Sequence, residues 1–189
     1  MNSSTDKLNN YILNPNDPVA NYELGMWYHH QQQYGGSLSF FLRTAELTDD
    51  QDLAYKCLLL NALNFRKQGK RNGSQKNQLL HAITLLPDRP EAYFLLSRFY
   101  EETKSWHESY AIASIALQRF DDTEPSHELD YPGRFGFMYQ KAIASWWMCK
   151  FEESKNLFSS LLCNVPMPDE YVKSCRDNLM KITGKAFVP

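Results

Sequence analysis

His29 and His30 stand side by side, and neighbouring imidazoles are a common start for a metal site. On a helix, however, successive side chains point about 100° apart, so one helix does not turn both rings onto one ion. The pair reads as the solvated end of a helix. Paired carboxylates do acid–base work when they face each other across a cleft. Here Glu101–Glu102, Asp121–Asp122 and Glu152–Glu153 are consecutive, and read as exposed charges at helix ends. Cys57, Cys149, Cys163 and Cys175 lie far apart with no CxxC spacing, so they read as small buried hydrophobes in a reducing compartment. His81, His107 and His127 are isolated. The chain carries no glycine-rich phosphate loop, GxSxG, HExxH or zinc-spaced Cys/His set. We therefore expect no catalytic residues, no metal and no cofactor: not an enzyme.

The elements around these residues repeat themselves. "LNPNDPVANYELGMWY" (13–28) is echoed 72 residues later by "LLPDRPEAYFLLSRFY" (85–100), with six of sixteen positions identical. Both copies carry two prolines three apart. Pro18 and Pro90 suit the first turn of a helix, where a missing N–H costs nothing, with Asp17 or Asn16, and Asp88, as caps. Leu24, Gly25 and Tyr28, like Leu96, Ser97 and Tyr100, then form one helical stripe whose small residue admits a neighbouring helix.

Each stripe leads through a short polar turn to a second helix. Tyr34, Ser37, Phe41, Thr44 and Leu47 hold one such register; Trp106, Ser109, Ala113 and Ala116 hold the other. A stretched pair fits between them, with a first helix ending near Gly69 and a second carrying Leu79 and Ala82. A fourth pair places Phe151, Ser154, Phe158 and Leu161 in the second-helix register. Before it, "FDDTEPSHELDYPGR" holds an 11-residue excess with five acids, read as a surface loop in preference to a binding element; Pro132 and Gly133 turn the chain into the next helix. "DEYVKSCRDNLMKITG" reads as an amphipathic capping helix from Asp169 to Gly184.

This ladder of aromatic, leucine, small residue, tyrosine, alanine and proline resembles the tetratricopeptide repeat, a helix–turn–helix unit of about 34 residues. The resemblance covers about 14–182 and is plainest in repeats one and three. Repeat two has Arg66 or Phe65 for the inner tyrosine; repeat four has Ser145 there, and Cys149 where a turn glycine is usual. It implies an all-α solenoid of about four hairpins plus a C-terminal cap, because one hairpin cannot bury both its faces while stacked hairpins bury each other's. The expected layout is a partly helical N-terminal segment (1–13), the repeats (14–182) with an insertion loop at 120–134, and a tail or linker (183–189). The family's groove positions carry over to Tyr22, Met26, His29 and His30; to Leu59, Arg66 and Lys67; to Phe94, Arg98, Glu101 and Glu102; and to Tyr139, Ile143, Trp146 and Trp147. Such a surface implies a peptide or partner protein held by aromatic anchors and arginine forks. At least one ring of Trp146–Trp147 is expected in the core.

A net charge of −2 removes the basic face that a general nucleic-acid binder or a polybasic membrane anchor needs. The N-terminus shows no secretory signal and no apolar run approaches the roughly 20 residues of a membrane span, so a cytoplasmic chain is expected. The wording "LLPDRPEAYFLLSRFYEE…YPGRFGFMYQKAIASWW" also resembles repeat segments that accompany bacterial and viral glycosyltransferase domains. That implies an accessory module in glycan synthesis with a glycosyltransferase partner, and "GKAFVP" is read as the end of a segment from a longer polypeptide. The leading expectation is a non-catalytic scaffold binding a protein or peptide in a concave groove. The alternatives are the glycosyltransferase accessory and a homo-oligomerising module.

Overall fold

The computed structural model describes residues 4–121 and 124–184; Asp122 of one acidic pair and residues 185–189 of the tail lie outside them. The helices are α1 (Ser4–Leu13), α2 (Pro18–His30), α3 (Tyr34–Leu47), α4 (Gln51–Gln68), α5 (Asn72–Leu85), α6 (Pro90–Glu102), α7 (Trp106–Arg119), α8 (Arg134–Trp147), α9 (Phe151–Asn164) and α10 (Asp169–Thr183). No strand occurs among the described residues, only an isolated bridge between Ser126 and Tyr131. The chain forms two compact units, Met1–Ala92 and Tyr93–Pro189.

Local signals set the helix ends. Pro18 occupies the first turn of α2, and Asp17 accepts a hydrogen bond from the Val19 N–H at 3.0 Å. Asp50 caps α4 by accepting from Asp52 and Leu53, and Gly69 closes it at φ 68°. α10 stops at left-handed Gly184. The turns inside the hairpins are more uniform than the sequence implies. Gln32, Lys70, Lys104 and Cys149 each stand two residues before the second helix, at φ between 58° and 60°. No glycine is used at that position, so Cys149 conforms to the other three turns. The left-handed backbone costs each residue about 1–2 kcal/mol. It also lets the Gln33, Ser105 and Lys150 N–H groups reach back to the carbonyls of Tyr28, Tyr100 and Ser145 at 2.8–2.9 Å, satisfying helix-end acceptors.

Packing follows one register throughout. The fourth, eighth and eleventh residues of every second helix are buried: Ser37, Phe41 and Thr44; Gln75, Leu79 and Ala82; Ser109, Ala113 and Ala116; Ser154, Phe158 and Leu161. In three hairpins the serine hydroxyl donates to a carbonyl twelve residues back: Ser37 to Gly25 at 2.9 Å, Ser109 to Ser97 at 2.9 Å, Ser154 to Ala142 at 2.8 Å. A small donor at that point lets the paired helices close while leaving no buried hydroxyl orphaned. In the first unit, Leu59 of α4 is fully buried, which makes it core instead of groove. Tyr55 donates to Glu91 and accepts from the Ala92 N–H, and its phenol is pushed well above the usual range by burial and then by Glu91.

In the second unit the insertion is anchored by its own apolar residues. A short 3-10 turn, His127–Leu129, precedes Asp130, and Leu129 and Tyr131 are buried. The Tyr131 ring meets Phe94 and Phe137 at centroid distances of 5.6 and 5.7 Å. Arg134, the first residue of α8, donates to the carbonyls of Leu117 and Phe120, tying the two ends of the insertion together.

The expectation of four buried cysteines needs correction. Cys57 and Cys175 are buried, whereas Cys149 lies in a turn and Cys163 near the end of α9, both exposed. Burial pushes the Cys57 thiol up to about 12 and that of Cys175 to about 11, leaving almost no thiolate at neutral pH. Iodoacetamide is expected to label Cys149 and Cys163 in the native protein, and Cys57 and Cys175 only after denaturation. Peptide mass mapping checks it.

Candidate functional site

The first unit ties down part of its expected surface. Tyr22, Met26, His29 and Arg66 are half-buried, while His30 and Lys67 are exposed. His29 is more than a solvated helix end: its Nδ1 lies 2.6 Å from Asn64 Oδ1. Asn64 donates to the Ser37 hydroxyl at 3.0 Å, and Ser37 donates to the Gly25 carbonyl. That direction of donation places a proton on His29 Nδ1. Lys56 sits over the Tyr22 ring, 5.3 Å from its centroid.

The second unit brings some expected residues together and separates others. Phe94 is 1% exposed among Tyr131 and Phe137, so it serves the core. Arg98, one turn along the same helix, brings its guanidinium 2.7 Å from Asp130 and 4.0 Å from Glu102. Arg98 and Glu101 on α6, Tyr139 and Gln140 on α8, and Glu170, Tyr171 and Ser174 on α10 line one depression of about 310 Å³. Tyr139 and Ser174 share a 2.6 Å hydrogen bond, and the Tyr139 and Tyr171 rings meet edge to face at 5.1 Å. Gln140 is 4% exposed, and its side-chain carbonyl meets no donor. Glu170 and Tyr171 also border a second hollow of about 330 Å³ with Pro125, Asp130, Tyr131, Pro132, Phe135 and Pro168.

Both tyrosines titrate above the ordinary phenol value. Burial is the main cause for each; Glu101 adds to it at Tyr139, and Glu170, Asp130 and Glu101 add to it at Tyr171 against the opposing Arg98.

The tryptophans stand apart from this depression. Trp147 is 57% exposed and stacks on Trp106 at 5.0 Å, and Trp146 is half-buried against Phe151. Neither indole is fully in the core, contrary to expectation. They line a small hollow of about 50 Å³ with Ile143, Phe158, Asn178, Lys181 and Ile182. Gln140, Glu170, Tyr171 and Ser174 were absent from the sequence-based set. The 3.6-residue period of α10 marks its apolar face, but nothing local says that its Tyr171–Ser174 edge meets Tyr139.

Glu153 belongs to another cluster, against the reading of its pair as exposed charges. It accepts from Tyr110 at 3.0 Å and pairs with Lys141 at 2.9 Å, while Lys150 lies 3.7 Å from the Tyr110 ring centroid. Burial pushes its carboxyl up, but the Lys141 and Tyr110 hydrogen bonds and the lysine charges outweigh it and hold the group below the usual range. A depressed folded value means its stabilisation is present above the unfolded value of about 4.3 and fades as pH falls through the folded one. The stability gap between wild type and Glu153→Gln is expected at neutral pH and to close below about pH 4, as read by urea melts across pH.

Among the described residues, no helix is long and apolar enough to cross a membrane, and no group of three or more His, Cys, Asp or Glu is placed to hold a metal. No family model and no curated protein matches the chain. Solved structures do. MamA AMB-1 superposes with a TM-score of 0.60 at 12% identity, over 88% of this chain and 82% of that one. A structure of Naa15/Naa10 bound to HypK-THB gives 0.44 at 11% identity, over 96% of this chain and 31% of that one. The resemblance to glycosyltransferase-linked repeats gains no support from either. With helical hairpins in one recurring register and the overlap with MamA, the chain has the fold of a tetratricopeptide-like helical-repeat protein.

Proposed function

We propose that the chain is a non-catalytic interaction scaffold whose second unit takes an extended segment of a partner protein in the depression between α6, α8 and α10. One observation carries this reading: Arg98, Tyr139, Gln140, Tyr171 and Ser174 converge there from the first helices of two successive repeats and from the last helix. A concave wall with an aromatic pair and a few fixed polar groups suits an extended chain, since aromatic anchors supply area at small entropic cost. A random peptide library displayed on phage and selected on the purified protein tests it. Recovered peptides are expected to lose about tenfold in affinity for Tyr171→Ala, whose helicity should match wild type. Recovering no peptides, or peptides indifferent to Tyr171→Ala, would overturn the reading.

Self-association is a second reading, favoured by Trp147 and Phe151, which are 57% and 45% exposed. Light scattering over a concentration series distinguishes it: mass should rise with concentration for wild type and less for Trp147→Ser. A constant monomer mass removes it.

A further inference from the structure

Resting on that reading, we infer that the occupant of the depression is a basic side chain, an arginine or lysine from the partner's segment. Gln140 gives the first reason. It is 4% exposed, it lines the depression, and its carbonyl oxygen has no donor. A buried acceptor without a partner is costly, so an arriving N–H group gains more here than in water. Guanidinium and ammonium bring several donors and no acceptor, and the Glu101 and Glu170 carboxylates of the lining can take donors that Gln140 does not.

Charge gives an independent second reason. The lining holds one guanidinium, Arg98, and two carboxylates, Glu101 and Glu170. Arg98 is already engaged by Asp130 at 2.7 Å and approached by Glu102 at 4.0 Å. The local sum is therefore negative, and an acidic ligand would have to compete for Arg98 with two carboxylates of the chain itself. Tyr139 and Tyr171 also line the depression, and an aromatic quadrupole attracts a cation. The adjoining hollow, bordered by Pro125, Pro132 and Phe135, suits an apolar neighbour of the basic residue.

The test uses the intact chain and fluorescein-labelled short peptides. They differ at one central position (arginine, lysine, citrulline or glutamate) beside a constant apolar residue, and binding is read by anisotropy. Arginine and lysine peptides are expected to bind about tenfold tighter than the citrulline peptide, whose shape matches arginine without its charge. The glutamate peptide should be weakest. The preference should shrink in high salt and in Glu170→Gln, and affinity should fall in Gln140→Leu. Should Gln140→Leu lose helicity, exposed Glu170→Gln still decides the matter. Equal binding of arginine and citrulline, tightest binding of glutamate, or spermidine displacing the arginine peptide as well as unlabelled peptide does would overturn the inference. Library peptides that lack basic residues yet depend on Tyr171 would sink this inference while sparing the scaffold. An empty selection would sink the scaffold itself.

Discussion

Phe41→Ala and Gly25→Ala are each expected to destabilise the first unit, and Gly25→Ala is expected to reverse sign once Phe41 is gone. Phe41 is fully buried, and truncating a core phenylalanine leaves a cavity costing about 3–5 kcal/mol. Gly25 faces it: a methyl there would lie 2.7 Å from two Phe41 ring carbons, closer than such atoms pack. By helix propensity alone Gly25→Ala gains up to about 1 kcal/mol. Forcing a methyl against a ring that cannot retreat costs about 1–3 kcal/mol, so the steric term wins. In the Phe41→Ala background the same methyl enters space the ring has vacated, and propensity is no longer opposed. Gly73, which has nothing within 4 Å of its added methyl, supplies the control: Gly73→Ala should be neutral or slightly stabilising. Urea unfolding of the four-member cycle measures the coupling, expected at about 0.5–3 kcal/mol. Additive losses would mean that this helix crossing does not depend on the glycine.

Tyr131→Ala is expected to destabilise the second unit by about 3–5 kcal/mol, as truncation of a core aromatic does, although the residue belongs to the segment outside the repeat pattern. Its 1% exposure and its contacts with Phe94 and Phe137 place it in a buried aromatic cluster of that unit. Gly136 adds to the same cluster, since a methyl there would meet Pro132 at 2.6 Å and the Phe94 ring at 2.8 Å. Exposed Glu124, in the same insertion, should tolerate alanine within about 0.5 kcal/mol. Equal tolerance at both positions would return the insertion to a passive surface loop. A large loss at Tyr131 alone would show a segment holding α8 in place, and with it the Tyr139 and Gln140 wall of the candidate site.

What the sequence determined by itself is the repeat at helical spacing and several of the helix ends. The doubled phrase around Pro18 and Pro90, the second-helix registers through Phe41, Leu79, Ala113 and Phe158, the Asp17 cap and the Gly184 stop all appear where their spacing places them. Caps and apolar periods are decided by residues three or four apart, so a linear reading reaches them. Tertiary structure decided the rest. His29 and Asn64 meet across 35 residues, as do Tyr139 and Ser174. No local signal reports such encounters. Phe94 and Leu59 have the same character as groove residues, yet which side of a helix its neighbours cover depends on packing, and packing buries both. The capping helix shows the limit most clearly. Its period foretold an apolar face, but only folding turned its Tyr171–Ser174 edge toward Tyr139 and formed the depression between them, because a depression needs elements distant along the chain to arrive at one place.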